Sequence, residues 1–533
     1  MRQQLSPAAV SFLNTLAEDE NHTLLQGVLK GIEKEGLRAT ISGQLAQTPH
    51  PIGLGSALTH PNITTDFSEA LLEFITSPTH SDPHLLGDLK RLHQYSYGQL
   101  GEELIWPFSM PCELPADNEI PVAQYGTSNR AKMKTIYREG LGLRYGRTMQ
   151  TVAGLHYNFS LPRAFWAYLH NETLSPLALD VFTTNRYFHL IRNFRRFYWL
   201  LIYLFGASPV VDGSFVRGRP HDLDELSPNT YGRPFATALR MGDLGYQSSA
   251  QSSLFVCYNA LLTYTATLSS AIHTPYPAYQ NLGNEHAQQL NTSLLQIENE
   301  FYSPVRPKRT ARAGETALTA LCKRGVEYLE VRCLDLDPNE PSGISAETVR
   351  FLDTFLLYCL MLSSPECDRN EFINTSTNQK RVVNEGRKPG LQLIDPAGNE
   401  RDLKDWGLDI IASMEPIAQV LDRVHGAQGK YGAALANAAA KLNQPELTPS
   451  GQMMAEVSDG KSYLEIGLQQ AQKIADALKS QPLSELHQRR FSDISEESLA
   501  LQRAEEEQPQ EPFDEYLKAY YQQYQSCCKE AAI

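Results

Sequence analysis

Two glutamates in the stretch Gly31–Arg38 are the first residues whose type and spacing could do chemistry. The stretch reads Gly-Ile-Glu-Lys-Glu-Gly-Leu-Arg, so Glu33 and Glu35 alternate with a single residue between them. In a β-strand, side chains at alternate positions point to the same face of the sheet. Two carboxylates this close repel each other unless a cation lies between them, and Mg²⁺ prefers such oxygen ligands. The pair therefore indicates either a metal-binding edge or an exposed strand with solvated acids.

Two later segments repeat this alternation of polar and apolar side chains, so their polar residues would share one sheet face and line a wet cavity. Carboxylates, a histidine and an arginine on one face suit phosphoryl transfer, in which Mg²⁺ and arginine neutralise phosphate charge. Taken singly, the histidine could be a neutral core residue, and the acid and arginine a surface ion pair. Their joint occurrence carries the prediction. The residues are His156 and Asn158 in a strand over 150–162, and Glu330 and Arg332 in a strand over 325–334.

The segment Ile63–Thr76 allows two structures. As a helix, it would place Asp66 and Glu73 on one face, because they are seven residues apart. As a strand over 71–76, it would leave Glu73 alone on the polar side. We favour the strand because its last residues, Phe-Ile-Thr, are β-prone. In either structure, acids interrupt an apolar run, as they would at a functional site.

The order of predicted elements indicates an α+β fold. Strands are separated by long helical insertions and do not alternate regularly with single helices, which favours an antiparallel or mixed sheet. A further strand is predicted over 293–302, an amphipathic helix over 85–104 and a strongly apolar helix over 345–363. From about residue 399 the chain is helical and rich in Ala, Gln and Glu. We therefore expect a catalytic domain over 1–395 and a mostly helical C-terminal region over 396–533.

Composition excludes several classes of protein. The 533 residues are 42% hydrophobic and 20% charged, which is typical of a globular protein. A net charge of −14 argues against a nucleic-acid-binding surface. The most apolar run, Phe197–Val211, is short for a membrane span, and Met1–Ser6 begins no signal-peptide pattern. These features predict a cytoplasmic protein without a membrane or nucleic-acid partner.

The eight cysteines contain no C-x-x-C pair. Their scattered positions predict neither a zinc site nor a disulfide framework and suit a reducing cytosol. We expect the adjacent Cys527 and Cys528 to be free thiols.

The common nucleotide-binding motifs are missing. The sequence Asp459-Gly-Lys-Ser462 ends like a P-loop, but residue 455 is Ala where the first glycine belongs. No G-x-G-x-x-G follows a predicted strand. If ATP binds, its phosphates must be held by metal ions.

Blocks of sequence in order over residues 20 to 395 resemble the bacterial glutamate–cysteine ligases of the proteobacterial class, and the C-terminal third matches only loosely. The blocks that carry the resemblance are Gly31–Arg38, Ser56–His60, Ile63–Phe67, Leu71–Thr76, Gln124–Asn129, Tyr137–Leu141, His156–Pro162, Tyr203–Pro209, Asp243–Tyr246, Leu295–Glu300, Arg306–Arg309, Glu327–Arg332 and Glu385–Gly390.

This resemblance implies a glutamine-synthetase-like carboxylate–amine ligase fold, in which helices surround an antiparallel sheet curved around a funnel-shaped site. It implies ATP-dependent joining of the L-glutamate γ-carboxylate to the L-cysteine amine through γ-glutamyl phosphate, the first step of glutathione synthesis. The implied cofactor is Mg²⁺, or Mn²⁺, with ATP as co-substrate and the enzyme acting as a monomer. Two alternatives stay open: a ligase of the same fold for another amine, and a non-catalytic regulator that binds nucleotide or metal.

The resemblance also assigns roles to residues of this sequence. It implies that Arg332 contacts phosphate and acts in catalysis with Glu330, and that Arg240 grips the glutamate carboxylate. Tyr137, Tyr246 and Tyr302 resemble residues of the cysteine pocket, and Gln150 and Asn158 would hydrogen-bond substrate. The implied metal ligands are Glu33, Glu35, Asp66, Glu73, His156 and Glu330.

The sequence departs from some relatives at one cysteine. Those relatives carry a disulfide from the position of Cys112 to a cysteine after a Phe-Trp pair. Here that segment, Ala167–Leu174, contains no cysteine. We therefore expect Cys112 to be a free thiol.

Overall fold

A computed structural model describes residues 4–245, 250–251, 254–283 and 286–530 of the chain. Alternating apolar residues form its strands, and helices fill most of the intervening lengths. The strands are β1 (Leu29–Ala39), β2 (Ile63–Thr65), β3 (Leu71–Ile75), β4 (Leu104–Ile105), β5 (Leu155–Ser160), β6 (Val210–Asp212), β7 (Asp224–Ser227), β8 (Thr230–Gly232), β9 (Val305–Lys308), β10 (Tyr328–Leu334), β11 (Gln392–Ile394) and β12 (Glu400–Asp402).

Helices surround the strands and make up nearly all of the chain after residue 403. The helices are α1 (Pro7–Leu16), α2 (His22–Gln26), α3 (Asp82–Tyr97), α4 (Asn129–Tyr145), α5 (Arg163–Glu172), α6 (Leu179–Phe197), α7 (Trp199–Phe205), α8 (Gly213–Val216), α9 (Leu261–His273), α10 (Ala317–Arg324), α11 (Ala346–Met361), α12 (Arg369–Glu385), α13 (Leu403–Val424), α14 (Lys430–Asn443), α15 (Pro449–Ser458), α16 (Tyr463–Lys479), α17 (Glu485–Glu507) and α18 (Phe513–Glu530).

The main sheet is antiparallel, as predicted. Its strand order is β2-β3-β1-β5-β10-β9, with β4 paired to the far end of β1. The long strand β1 lies near the middle and pairs with β3 on one side and β5 on the other. Strands that are distant in sequence are thereby brought side by side, which places their polar side chains together.

The two faces of the sheet differ as the alternation predicts. On the back face, Ile32, Tyr157 and Val331 lie in register on neighbouring strands, and each is 0% exposed. The Tyr157 hydroxyl donates a 2.6 Å hydrogen bond to Asp353 of α11, which belongs to the layer of helices behind the sheet. The front face carries the polar residues of the same strands and is open to a cavity.

The structure decides between the two possibilities for Ile63–Thr76. Residues Leu71–Ile75 form β3, which pairs with β1 and β2, so the preference for a strand is confirmed. The predicted strand over 293–302 is wrong. That segment is irregular, with one 3₁₀ turn at Glu298–Glu300. Its amides bond to scattered partners and not to a neighbouring strand: the Leu294 amide donates to the Thr274 carbonyl, and the Gln296 amide donates to the Glu300 carboxylate at 2.5 Å.

No helix in the described part of the chain is both long enough and apolar enough to cross a membrane.

The cysteines whose side chains the structure describes follow the prediction with one exception. Cys112 is buried and free, as expected, whereas Cys322 is disulfide-bonded, which the scattered spacing did not predict. The expectation for Cys527 and Cys528 falls outside the side chains that the structure describes.

We predict that Cys112 does not react with iodoacetamide in the folded protein and reacts fully after denaturation under non-reducing conditions. The side chain is 0% exposed, and burial raises the pKa of its thiol far above the ordinary value, so little thiolate is available. Peptide mapping of both samples measures this. A Cys112 peptide cross-linked to another cysteine, or rapid labelling of the native protein, would contradict the assignment.

Candidate active site

A polar cavity of about 240 Å³ opens on the front face of the main sheet. It is bounded by β1, β3, β5, β9 and β10 on the sheet side and by α4 and the 299–302 segment on the other. Most of the residues singled out from the sequence line it: Glu33, Glu35, Asp66, Glu73, His156, Glu330, Arg332, Tyr137, Tyr302 and Gln150.

His156 lies at the centre of the acidic residues. Strand register places it directly opposite Glu33 on β1, and its Nδ1 is 3.3 Å from Glu33 Oε2. Its Nε2 is 3.7 Å from Glu35 Oε1, and Nδ1 is 3.9 Å from Glu330 Oε1. Burial, reinforced by Arg332, lowers the pKa of the imidazole. His156 is therefore neutral at physiological pH and available as a metal ligand.

The β1–β3 pairing brings a second group of acids together. Glu35 and Glu73 are register partners, and Asp66 lies just beyond the end of β2. Burial and the Asp66 charge raise the pKa of Glu35 to about 8, although the Gly154 amide donates to it at 2.6 Å. Burial and the charges of Glu33, Asp66 and Glu35 raise the pKa of Glu73 well above its ordinary value. The protein holds these carboxylates in mutual repulsion, which a cation would relieve.

The opposite side of the cavity is cationic. Glu330 lies between Lys308, whose Nζ is 3.3 Å from Glu330 Oε1, and Arg332, whose Nη1 is 3.2 Å from Glu330 Oε2. Burial alone would raise the pKa of Glu330, but Lys308 and Arg332 hold it well below its usual range. Glu330 is therefore an ionised carboxylate, positioned between the acidic and the cationic halves of the cavity.

The donor set fits a divalent cation. One carboxylate oxygen each from Glu33 and Glu73 and one ring nitrogen of His156 lie within 4.8 Å of one another. His156 Nε2 is buried and makes no hydrogen bond among the residues that the structure describes. A neutral imidazole nitrogen and several carboxylates suit Mg²⁺ or Mn²⁺. The side chains present are thus able to hold the metal that the resemblance implies.

Two predicted site residues, Asn158 and Arg240, are not among those that line the cavity. Asn158 of β5 donates from Nδ2 to Glu33 Oε1 at 2.8 Å, so it orients that carboxylate. Tyr246 lies outside the described residues. Arg240 is 0% exposed, and its Nε donates to Asp335 Oδ1 at 2.8 Å.

The position of Arg240 nevertheless borders the acidic residues. A Cβ placed on Gly154 would lie 3.0 Å from Arg240 Nη1 and 3.5 Å from Glu35 Oε2. The backbone at Gly154 therefore packs directly against the guanidinium and the Glu35 carboxylate, and a side chain at this position would push against Arg240. Arg240 also contributes to the electrostatics, because its charge opposes the rise in the pKa of Glu35.

Sequence reasoning missed several charged residues of the cavity. Arg138 of α4 lines it, and its Nε hydrogen-bonds the Asp66 carbonyl. Arg306 and Lys308 alternate on β9, so a period-two pattern could have found them. Glu300 lies in the segment wrongly predicted as a strand, where it accepts a 2.9 Å hydrogen bond from Arg144 Nη1. Arg138, Arg306 and Lys308 add positive charge around the acids, as a site for phosphate requires.

Sequence comparison with known proteins points to one family. The sequence model of the family described as glutamate–cysteine ligase matches residues 13–382. The glutamate–cysteine ligase of Saccharophagus degradans is 52% identical over 524 residues, which is 97% of this chain and 99% of that protein. The glutamate–cysteine ligase of Pseudomonas entomophila is 48% identical over 505 residues, covering 94% of this chain and 95% of the relative.

Solved structures agree with the sequence comparison. A crystal structure of glutamate–cysteine ligase from Francisella tularensis in complex with AMP superposes with a TM-score of 0.87 and 35% identity, covering 94% of this chain and 99% of that one. A bifunctional glutathione synthetase from Pasteurella multocida superposes with a TM-score of 0.70 and 24% identity, covering 92% of this chain and 57% of that one, and shares the fold. The predicted carboxylate–amine ligase fold is confirmed.

Proposed function

This chain belongs to the glutamate–cysteine ligase family, and we propose that the cavity on the front of its sheet is the site of the reaction. The enzyme joins the γ-carboxylate of L-glutamate to the amine of L-cysteine at the expense of ATP, which is the first step of glutathione synthesis. The observation that carries the proposal is the convergence of the six expected metal-binding side chains and Arg332 on one cavity.

The chemistry explains why such a site is needed. A carboxylate is a poor electrophile, so ATP first converts the glutamate γ-carboxylate to γ-glutamyl phosphate. The cysteine amine then attacks the acyl carbon, and the tetrahedral intermediate expels phosphate. Negative charge develops on phosphate and acyl oxygens in both steps, and fixed positive groups that face those oxygens lower the barrier. The residues around the cavity supply those groups.

We assign metal binding to the acidic half of the cavity. Glu33, Glu35, Asp66, Glu73, His156 and Glu330 would hold Mg²⁺ or Mn²⁺, which supplies neutralisation of the ATP phosphate oxygens when bound. Within the protein, Asn158 orients Glu33, and the Gly154 amide orients Glu35. Supporting hydrogen bonds of this kind keep ligand oxygens directed into the cavity.

The cationic half would contact the transferred phosphoryl group. Arg332 carries a planar fork of donors that matches phosphate, and its side chain is 14% exposed toward the cavity. Lys308 and Arg332 both form ion pairs with Glu330, so Glu330 fixes the position of both cations. Arg138, on the opposite wall, provides a third positive charge. We propose that these three residues surround the developing charge on the transferred group.

The two amino acids would bind at the remaining walls. We propose that the glutamate carboxylate binds Arg240, which lies beside Gly154 and Glu35 at the border of the acidic residues. Gln150 donates from Nε2 to the Tyr302 hydroxyl at 3.0 Å, so this pair forms one polar edge of the cavity. Tyr137 and Tyr302, with Tyr246, would enclose the cysteine side chain. Tyrosine rings give an apolar pocket with polar tips, which suits a small thiol-bearing amine.

The direct test is release of phosphate from ATP with Mg²⁺ and glutamate, with cysteine present or omitted. We expect cysteine-dependent release and formation of γ-glutamylcysteine. A panel of other amines at equal concentration tests selectivity. Turnover with another amine well above that with cysteine would overturn the assignment of cysteine, and absence of turnover with every amine would indicate a non-catalytic regulator.

We predict that Mg²⁺ raises the melting temperature of the chelator-treated protein by a few degrees. Glu33, Glu35 and Glu73 repel one another without a cation, so an ion that binds only the folded state stabilises it by about 2.7 kcal/mol at a hundredfold excess over its Kd. Scanning fluorimetry with and without Mg²⁺ measures the shift. NaCl at matched ionic strength is the control, and an equal shift with NaCl would contradict a specific metal site.

We further propose that residues 1–395 form the catalytic domain, and that 396–533 form a helical region packed on it. We also propose that the enzyme acts as a monomer. The net charge of −14 gives no surface suited to nucleic acid, and we propose that the enzyme acts in the cytoplasm. Sedimentation of the purified protein tests the oligomeric state.

A further inference from the structure

We propose that the C-terminal helices α17 and α18 form a clasp that sets the position of α4 over the sheet, with Glu505 and Tyr521 as its positioning residues. This inference rests on the proposed function, because α4 contributes Tyr137 and Arg138 to the cavity. It assigns a role in substrate binding to a part of the chain that contains none of the residues lining the cavity.

Helix α4 forms the wall that faces the acids. It presents Tyr137, Arg138 and Leu141 to the cavity. Its attachment to the sheet side runs through Arg138 to the Asp66 carbonyl. At its C-terminal end, Arg144 and Tyr145 hydrogen-bond Glu300 at 2.9 and 2.7 Å. Contacts on the opposite side of α4, away from the cavity, also help to set the distance between α4 and the sheet.

The end of α17 holds the beginning of α4. The Ser128 hydroxyl, which caps α4 by accepting the Ala131 amide, donates to Glu505 Oε1 at 2.7 Å. Arg130, in the first turn of α4, pairs with the same carboxylate through Nε at 3.1 Å and Nη2 at 2.5 Å. Negative charge at a helix N-terminus also interacts favourably with the helix dipole. Glu505 thus joins two residues of the first turn to α17.

The segment after α17 adds further bonds at the same place. The Asn129 amide donates to Gln510 Oε1 at 3.1 Å, and Asn129 Nδ2 donates to the Glu511 carbonyl at 2.8 Å. Asn129 itself is 3% exposed, whereas Gln510 and Glu511 lie at the surface. The connection between α17 and α18 therefore encloses the start of α4.

Helix α18 reaches the middle of α4 through one buried glutamine. The Tyr521 hydroxyl donates to the Gln296 carbonyl at 2.8 Å and accepts from Asn291 Nδ2 at 2.8 Å. Gln296, which is 0% exposed, donates from Nε2 to the Tyr137 carbonyl at 3.1 Å. The Gln296 amide also donates to Glu300, which lines the cavity. Tyr521 therefore acts on Tyr137 and Glu300 through Gln296.

A separate apolar cluster reinforces this contact. Met133 of α4, Leu517 of α18, Leu290, and Ile297 of the irregular segment bury one another, with exposures between 0 and 8%. This cluster is distinct from the main hydrophobic core. Apolar burial supplies stability, whereas the hydrogen bonds of Glu505 and Tyr521 fix direction and distance. Loss of those bonds should therefore displace α4 without unfolding the protein.

The test compares Tyr521→Phe and Glu505→Ala with two matched controls in the full-length enzyme. Tyr516→Phe removes a hydroxyl of α18 that makes no hydrogen bond in the described part of the chain, and Glu507→Ala removes an exposed acid near the end of α17. We expect each clasp variant to raise the KM for cysteine about threefold to tenfold, as loss of a hydrogen bond implies. We expect kcat to fall as well, because Arg138 moves with α4. The KM for ATP and the melting temperature should stay near those of the unmodified enzyme and of the controls.

Each outcome decides the inference. An unchanged cysteine KM in both clasp variants overturns it. A rise in all three KM values together with a lower melting temperature also overturns it, because that pattern reports only structural damage. Absence of cysteine-dependent turnover in the unmodified enzyme would overturn the proposed function itself, and with it this inference.

Discussion

Glu330→Gln is expected to lower kcat/KM by on the order of a thousandfold while the protein stays folded. Glutamine keeps the shape of the side chain but removes the charge that a divalent cation needs. It also leaves Lys308 and Arg332 without the carboxylate that lies 3.3 and 3.2 Å from them. Repulsion from Glu33 is relieved at the same time, so we expect the melting temperature of the metal-free protein to change by only a few degrees.

The matched control for this variant is Glu327→Gln. Glu327 immediately precedes β10 and its side chain is 47% exposed, so it loses the same charge outside the cavity. The control should keep activity close to that of the unmodified enzyme. Activity and melting should be measured on the same preparations. An active Glu330→Gln variant, or one that is inactive because it is unfolded, would refute the role of Glu330 as a metal ligand.

Arg240→Lys is expected to raise the KM for glutamate about tenfold to a hundredfold, and those for ATP and cysteine much less. A guanidinium holds a carboxylate through two parallel hydrogen bonds, and an ammonium cannot reproduce that geometry. Loss of one charge-assisted bond costs about 1.5–3 kcal/mol, which corresponds to this change in apparent affinity if binding is uniform through the reaction. The ATP phosphates would be held by other residues. Steady-state kinetics with each substrate varied in turn measures the three constants.

The structure adds a requirement to this test. Arg240 is buried and paired with Asp335, so lysine also weakens an internal ion pair. Arg196→Lys is the matched control, because Arg196 is 5% exposed and pairs with Glu371 away from the cavity. The control should lose comparable stability and keep its glutamate KM. If all three constants of Arg240→Lys match the unmodified enzyme, Arg240 does not hold glutamate, and if the cysteine constant moves most, it belongs to the other pocket.

The front face of the sheet could be predicted from the sequence because alternation is a local property. Glu33, Glu35 and Glu330 face the cavity because alternate side chains of a strand point to the same face of the sheet. The same alternation in β5 predicted that His156 lies on this face, although only the fold shows that it is the register partner of Glu33. The β-prone residues at the end of Ile63–Thr76 likewise identified β3 correctly.

The features that could not be predicted from the sequence depend on contacts between distant parts of the chain. The segment over 293–302 was wrongly predicted as a strand. Its apolar residues pack in two different places, Leu295 and Phe301 in the main core and Ile297 against α18, and its backbone bonds to the buried Glu300. Arg138 lies on α4 with two other arginines, and the amphipathic pattern of that helix does not show which of the three lines the cavity. The disulfide at Cys322 could not be foreseen from spacing, because pairing depends on how the chain folds back on itself.

The most direct test of the account is a crystal structure of the enzyme with Mn²⁺ and a non-hydrolysable ATP analogue, in which anomalous scattering locates the metal. We predict anomalous peaks about 2.1–2.3 Å from carboxylate oxygens of Glu33, Glu35, Asp66, Glu73 and Glu330 and from a ring nitrogen of His156. We also predict analogue phosphates between those peaks and Arg332. Metal peaks held by other residues, or phosphates bound without metal at this cavity, would contradict the assignment of the acidic residues as the metal site.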